Sequence, residues 1–146
     1  MSRPLKRAGT APTARSCVTG TGVQDVTGTL PLGNTHKGIY LQNGASTNTI
    51  GGIVPGAGNL VSGNKTWGIY LVNAPGNVIQ GNLIGTALDG VSALGNTFHA
   101  VECAAGASYT TIGGSGAAGN RIAFTKTIYA GVRIRAWGLM TNHRPG

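Results

Sequence analysis

Asp25, Asp89 and Glu102 are the only carboxylate side chains in this sequence, and they bound its acid–base chemistry. Hydrolysis of a glycosidic bond takes two carboxyls, one working as acid and the other as base or nucleophile. A calcium site takes several oxygens, mostly from Asp and Glu. Asp25 and Asp89 fall in related loops two repeats apart, which at ~4.8 Å per stacked strand separates them by about 10 Å or more. Glu102 lies on a strand. Neither requirement is met, so no catalytic residue is expected. His36, His99 and His143 show no ligand spacing with Cys17 or Cys103, and no metal is expected. Gly114 to Gly119 fits G-x-G-x-x-G but opens no amphipathic helix, so no nucleotide or other cofactor is expected. Asn64-Lys65-Thr66 is a glycosylation sequon, relevant only to a chain secreted by a eukaryote.

One set of side chains suits a ligand. Tyr40 and Tyr70, with Trp67 nearby and Gln42, Asn73 and Glu102 beside them, would make a flat strip for stacking and hydrogen bonding to a sugar. The same residues would serve equally as a ladder, tyrosine on tyrosine followed by a Glu102–Arg133 pair, holding only the sheet together. The ladder is the preferred reading.

The formal charge of +8 suggests nucleic acid until its location is considered. Arg3, Lys6, Arg7 and Arg15 are at one end, and Arg121, Lys126, Arg133, Arg135 and Arg144 are at the other. Between residues 38 and 120 only Lys65 stands against Asp89 and Glu102. A phosphate-tracking protein spreads its cations along one face, so nucleic acid is not an expected partner.

The elements that must position the strip are legible as a repeat. Gly38-Ile39-Tyr40-Leu41 returns as Gly68-Ile69-Tyr70-Leu71, as Ala100-Val101-Glu102-Cys103 and as Gly131-Val132-Arg133-Ile134, at steps of 30, 32 and 31 residues. A 62-residue unit overlies it: the segments 44–52 and 106–114 agree at seven of nine positions. Each coil has three arms. The second is Asn48 to Gly52, echoed by Asn77 to Gly81 and Thr110 to Gly114. The third is Asn59 to Gly63, echoed by Asn82 to Thr86 and Asn120 to Phe124. Segments this short, alternating apolar and polar between Gly or Asn corners, are strands. Asn and Gly also tolerate the left-handed backbone of tight corners.

Stacked coils give the fold class: all-β, a right-handed parallel β-helix (β-solenoid) of three short strands per coil and about three to four coils. The inward ladders are Ile39, Ile69, Val101 and Val132, then Leu41, Leu71, Cys103 and Ile134, with Ile50, Ile79 and Ile112, and Val61, Ile84 and Ile122, from the other arms. Cys103 therefore reads as a buried free thiol. Glycine at 26 residues and only eight aromatic residues suit such a thin column.

These blocks resemble the β-helix repeats of the pectin-lyase-like superfamily, especially Gly- and Asn-rich bacterial surface and secreted solenoids. The likeness covers residues 25 to 134. It implies an extracellular or cell-surface location and is specific for fold rather than activity, since the superfamily holds lyases, hydrolases and adhesins. Gly131 to Arg135 resembles the Arg-Ile-Lys segment of polygalacturonases, but it is the fourth copy of the first arm, and the family's acidic segments have no counterpart upstream.

Residues 1–20 read as an irregular basic segment without an apolar signal core, residues 21–135 as the solenoid, and residues 136–146 as an irregular tail. No stretch is apolar for long enough to span a membrane. Neither end reads as a cap, so the chain is expected to be part of a longer solenoid and to self-associate end to end. The functional expectation is a non-catalytic structural or adhesive segment with a glycan or surface protein as partner. The alternatives are a fragment of a polysaccharide-active enzyme whose catalytic coils lie elsewhere, or a truncated reading frame with no function of its own.

Overall fold

A computed structural model describes residues 23–24, 31–126 and 128–135. The strands are β1 Val23–Gln24, β2 Pro31–Leu32, β3 Ile39–Leu41, β4 Thr49–Gly51, β5 Leu60–Val61, β6 Ile69–Leu71, β7 Val78–Gln80, β8 Leu83–Ile84, β9 Val101–Cys103, β10 Thr111–Ile112, β11 Arg121–Ile122 and β12 Val132–Ile134. They form three parallel sheets, ordered β3-β6-β9-β12, β4-β7-β10 and β5-β8-β11. The chain is a parallel β-solenoid of about three turns, with three strands per coil and no α-helix among the described residues.

Register follows the repeat residue for residue. Ile39 pairs with Ile69, Ile69 with Val101, and Val101 with Val132. Ile50 pairs with Ile79 and Ile79 with Ile112, while Val61 pairs with Ile84 and Ile84 with Ile122. These side chains meet in one apolar column in which Ile69, Leu71, Ile79, Ile84 and Val61 are fully out of water. Burying each contributes about 1.5–3 kcal/mol before entropy is counted. The 62-residue unit is also visible at the corners. The antiparallel pairing of Gln24 with Pro31 returns as the Thr86–Ala93 bridge, where a loop leaves the column and comes back.

Asparagine does more here than turn corners. Among the described asparagines, only Asn43 and Asn73 take left-handed backbone, at φ 56° and 47°. The asparagines that lead into the arms work through their side chains instead. The Asn34 main-chain N–H and side-chain amide both donate to Asn64 Oδ1, and Asn64 does the same to Asn96. Asn48 donates twice to Asn77, Asn59 twice to Asn82, and Asn82 twice to Asn120. Each ladder closes main-chain groups that turn into the column, where an unpaired donor is costly.

The two ends of the column differ. In the first coil Ile39 and Leu41 are 4% and 2% exposed, whereas their counterparts Val132 and Ile134 in the last strand are 40% and 74% exposed. The absence of a cap pattern in the sequence predicts two open ends. The end segments themselves, 1–20 and 136–146, lie outside the described residues, as do Cys17 and Asp25.

Cys103 is a free, buried thiol, as its place in the repeat implies. Burial, and then the neighbouring Glu102 carboxylate, push its pKa up from 9.0 to about 11. A thiol raised in this way favours the fold while protonated. Stability should therefore fall as pH rises from about 9 through about 11, because the unfolded thiol ionises first. Maleimide at pH ~8 should label Cys103 only after denaturation; prompt native labelling, located by peptide mass, would contradict this assignment.

Candidate functional site

The outward face of the four-stranded sheet carries the candidate strip. Strand alternation points Tyr40, Tyr70, Glu102 and Arg133 the same way, and the sheet register stacks them in that order. Two residues before the strands begin lies a second column: Gly38 N–H donates to Trp67 O and Gly68 N–H to His99 O, which aligns Lys37, Trp67 and His99.

The rings close on one another. Tyr40 and Tyr70 stack with centroids 5.5 Å apart and planes 23° from parallel, and Trp67 lies 5.0 Å from Tyr70. Lys37 Nζ sits 4.4 Å from the Tyr40 centroid, 5.3 Å from Trp67 and 5.4 Å from Tyr70. Two further rings extend the run beyond what the sequence reading included. Phe98 meets Trp67 edge-on at 5.0 Å, and Tyr129 lies 4.9 Å from Phe98 and 5.2 Å from His99. The signal for them was available: Phe98 and Tyr129 occupy one repeat position, each directly before the second column.

Glu102 is oriented outward by alternation and yet is 2% exposed. The Trp67 indole Nε1 donates to its Oε2 at 2.5 Å, and Arg135 Nη1 lies 3.7 Å from its Oε1. The expected Glu102–Arg133 pair does not form. Arg133 faces Glu102 in the sheet register, but its Nη1 is 3.1 Å from His99 Nε2, and the carboxylate turns back to the indole of the preceding coil. Burial, then Glu102, then Tyr40 hold the Tyr70 hydroxyl above the usual phenol range, against an opposing pull from Arg135.

Gln42 and Asn73 lie just past β3 and β6. The Gln42 carbonyl accepts from Ala45 N–H, and the Asn73 carbonyl accepts from Gly44 N–H, so their main chains build the corner. The structure thus gathers Tyr40, Tyr70, Trp67 and Glu102 into one connected cluster and sets Gln42 and Asn73 at its margin.

No protein-family profile, curated protein or solved structure matches the chain.

Asp89 is exposed in the loop after β8. Its carboxylate accepts from the Ser92 hydroxyl and from the Ser92 and Val91 N–H groups, and these bonds hold its pKa below the ordinary value. The G-x-G-x-x-G segment forms a single 3₁₀ turn, Gly116–Ala118, and leads into β11 rather than into a helix. Among the described residues no group of three or more His, Cys, Asp or Glu is placed to hold a metal ion. Nor is any helix among them long and apolar enough to cross a membrane. A recess of about 370 Å³ lies between the second and third arms, bordered by Ile53, Val54, Leu60, Leu83 and Leu88, with no ionisable side chain in its wall.

Proposed function

We propose that this chain is a non-catalytic structural segment of a surface or secreted solenoid protein, of the kind its repeats resemble in the pectin-lyase-like superfamily. One observation carries the reading: the outward face is bonded to itself. The faces of Tyr40 and Tyr70 are turned to each other, Lys37 packs beside them, and Glu102 is spent on Trp67 and Arg135. A sugar platform needs free ring faces, and a hydrolase or lyase needs a carboxylate that substrate can reach. The column is a ladder that ties coil to coil. Contact with further coils or a second copy belongs to the open end, where Val132 and Ile134 lie exposed.

Glycan-array binding, run beside urea denaturation, tests this. Tyr40→Ala with Tyr70→Ala should lower stability by about 1–3 kcal/mol, from the lost ring pair and its buried area. Wild-type protein should retain no glycan. A glycan held by the wild type and lost by the folded double variant would make the face a binding site. Turnover of a pectin-type polymer by this chain would overturn the non-catalytic reading.

A further inference from the structure

We infer that the β12 edge of the column docks an extended acidic polypeptide, which adds to β12 as a parallel strand with apolar residues turned inward and carboxylates outward. The inference rests on the structural reading above and gives a chemistry to the end which that reading leaves open.

The four-stranded sheet passes its hydrogen bonds from coil to coil in a fixed pattern. The N–H groups of Ile39, Ile69 and Val101 donate into the next coil, to the carbonyls of Gly68, Ala100 and Gly131. The carbonyls of Leu41, Leu71 and Cys103 accept from the next coil, from the N–H groups of Val72, Ala104 and Arg135. Val132 N–H and the Ile134 carbonyl come next in these two series, and among the described residues nothing meets them. The apolar side chains of this coil are uncovered as well: Val132, Ile134, Phe124 and Ile128 are all exposed. Main-chain donors and acceptors set between bare apolar side chains are what an added strand completes.

Charge selects which strand. Arg121, Lys126, Arg133 and Arg135 are exposed on this coil, and the sequence holds no carboxylate side chain after Glu102. Arg133 and Arg135 alternate with Val132 and Ile134, so a strand in register sets its outward residues against their guanidinium groups. Arg133 Nη1 is directed at His99 and Arg135 Nη1 at Glu102, which leaves each guanidinium further N–H donors for an incoming carboxylate. Glu102 is buried, and Asp89 accepts from Ser92 and Val91, so neither stands in for that partner. A second copy meeting this end would set arginine against arginine and is the poorer fit. A single-stranded nucleic acid would match the charge, but it has no alternating amides to pair with Val132 and Ile134.

Titration of the intact chain with a short, end-blocked peptide of alternating valine and glutamate tests this, with amide exchange as the readout. In the free chain the Val132 and Ile134 amides should exchange near their intrinsic rates. With peptide at about ten times its Kd, both should slow about tenfold, while β6 and β7 stay unchanged. Exchanging glutamate for lysine in the peptide should weaken binding about tenfold or more, as should raising salt from ~0.05 M to ~0.5 M. A peptide with its valines and glutamates in two blocks keeps the charge, loses the alternation and should bind as weakly. Arg133→Glu should favour the lysine peptide; should it fail to fold, the peptide comparisons on the wild type decide alone. Equal affinity for the glutamate and lysine peptides overturns the inference. So does equal affinity for the block peptide or for an oligothymidylate of similar length, which would make the end a plain polyanion site. Val132 and Ile134 amides already protected in the free chain also overturn it: a second copy holds the edge if the chain sediments as a dimer, and another part of the chain if it is a monomer. Each of these results is separate from the glycan and turnover measurements that test the non-catalytic reading.

Discussion

Replacing Asn82 with leucine should cost about 4 kcal/mol, a large share of the 5–15 kcal/mol that a domain of this size has to lose. Asn82 is 1% exposed. Its Oδ1 accepts from the Asn59 main-chain N–H and from the Asn59 amide, both at 3.0 Å, and its Nδ2 donates to the carbonyls of Ile50 and Gln80. Leucine matches its volume closely but leaves the Asn59 main-chain N–H facing a hydrocarbon, at about 1–3 kcal/mol, and removes the side-chain bonds to the Ile50 and Gln80 carbonyls, at about 1 kcal/mol each. Asn48→Leu, at the lower end of a ladder, is the comparison. Asn48 donates to Asn77 Oδ1 through both its main chain and its side chain, and the main-chain bond survives the change. Urea midpoints measured at constant slope should fall far more for Asn82→Leu than for Asn48→Leu. Equal shifts would mean that the ladders fill space and do little else.

Gly51→Ala should abolish the fold. Gly51 ends β4 at φ 89°, a left-handed conformation that costs an L-residue roughly 1–2 kcal/mol. A methyl group there would also overlap the Gln80 carbonyl oxygen and the side chain of Asn82, both fixed in the next coil. Main chain in a stacked sheet cannot retreat from one atom without moving the layer. Gly44→Ala separates the two effects, because Gly44 has φ 80° and nothing within 4 Å of the added carbon. Gly44→Ala should stay soluble with a modestly lower Tm, while Gly51→Ala should yield no folded protein by circular dichroism. A folded Gly51→Ala would show that the coils can part locally.

The strands and their register were legible because two signals agreed. Alternation marks Ile39 and Leu41 as inward, and recurrence at 30 to 32 residues carries that assignment to Ile69, Val101 and Val132. The asparagine ladders were harder to see. Their members are separated by 30 and 32 residues in one ladder, 29 in another, and 23 and 38 in the third. Uneven loops scatter the spacing, and only the stacked column brings like positions together. Asparagine also has an adequate local explanation as a corner residue, which conceals its long-range one. Glu102 escaped for the opposite reason. Alternation does point it away from the core, but its cover is Trp67, 35 residues earlier, reached across a coil. Period-two reasoning gives the direction of a side chain and says nothing of what lies over it.

The unequal exposure of the two ends bears on how such columns would stack. A rod that is sticky at both ends adds units without limit and grows into a fibre. Here the inward side chains of the first coil are already out of water, and those of the last are not. Two such rods meeting through their exposed ends would leave no free sticky end, so the self-association expected from the repeat would close as a pair. Within the described column, the same asymmetry gives a direction, with the apolar side chains covered at β3 and exposed at β12.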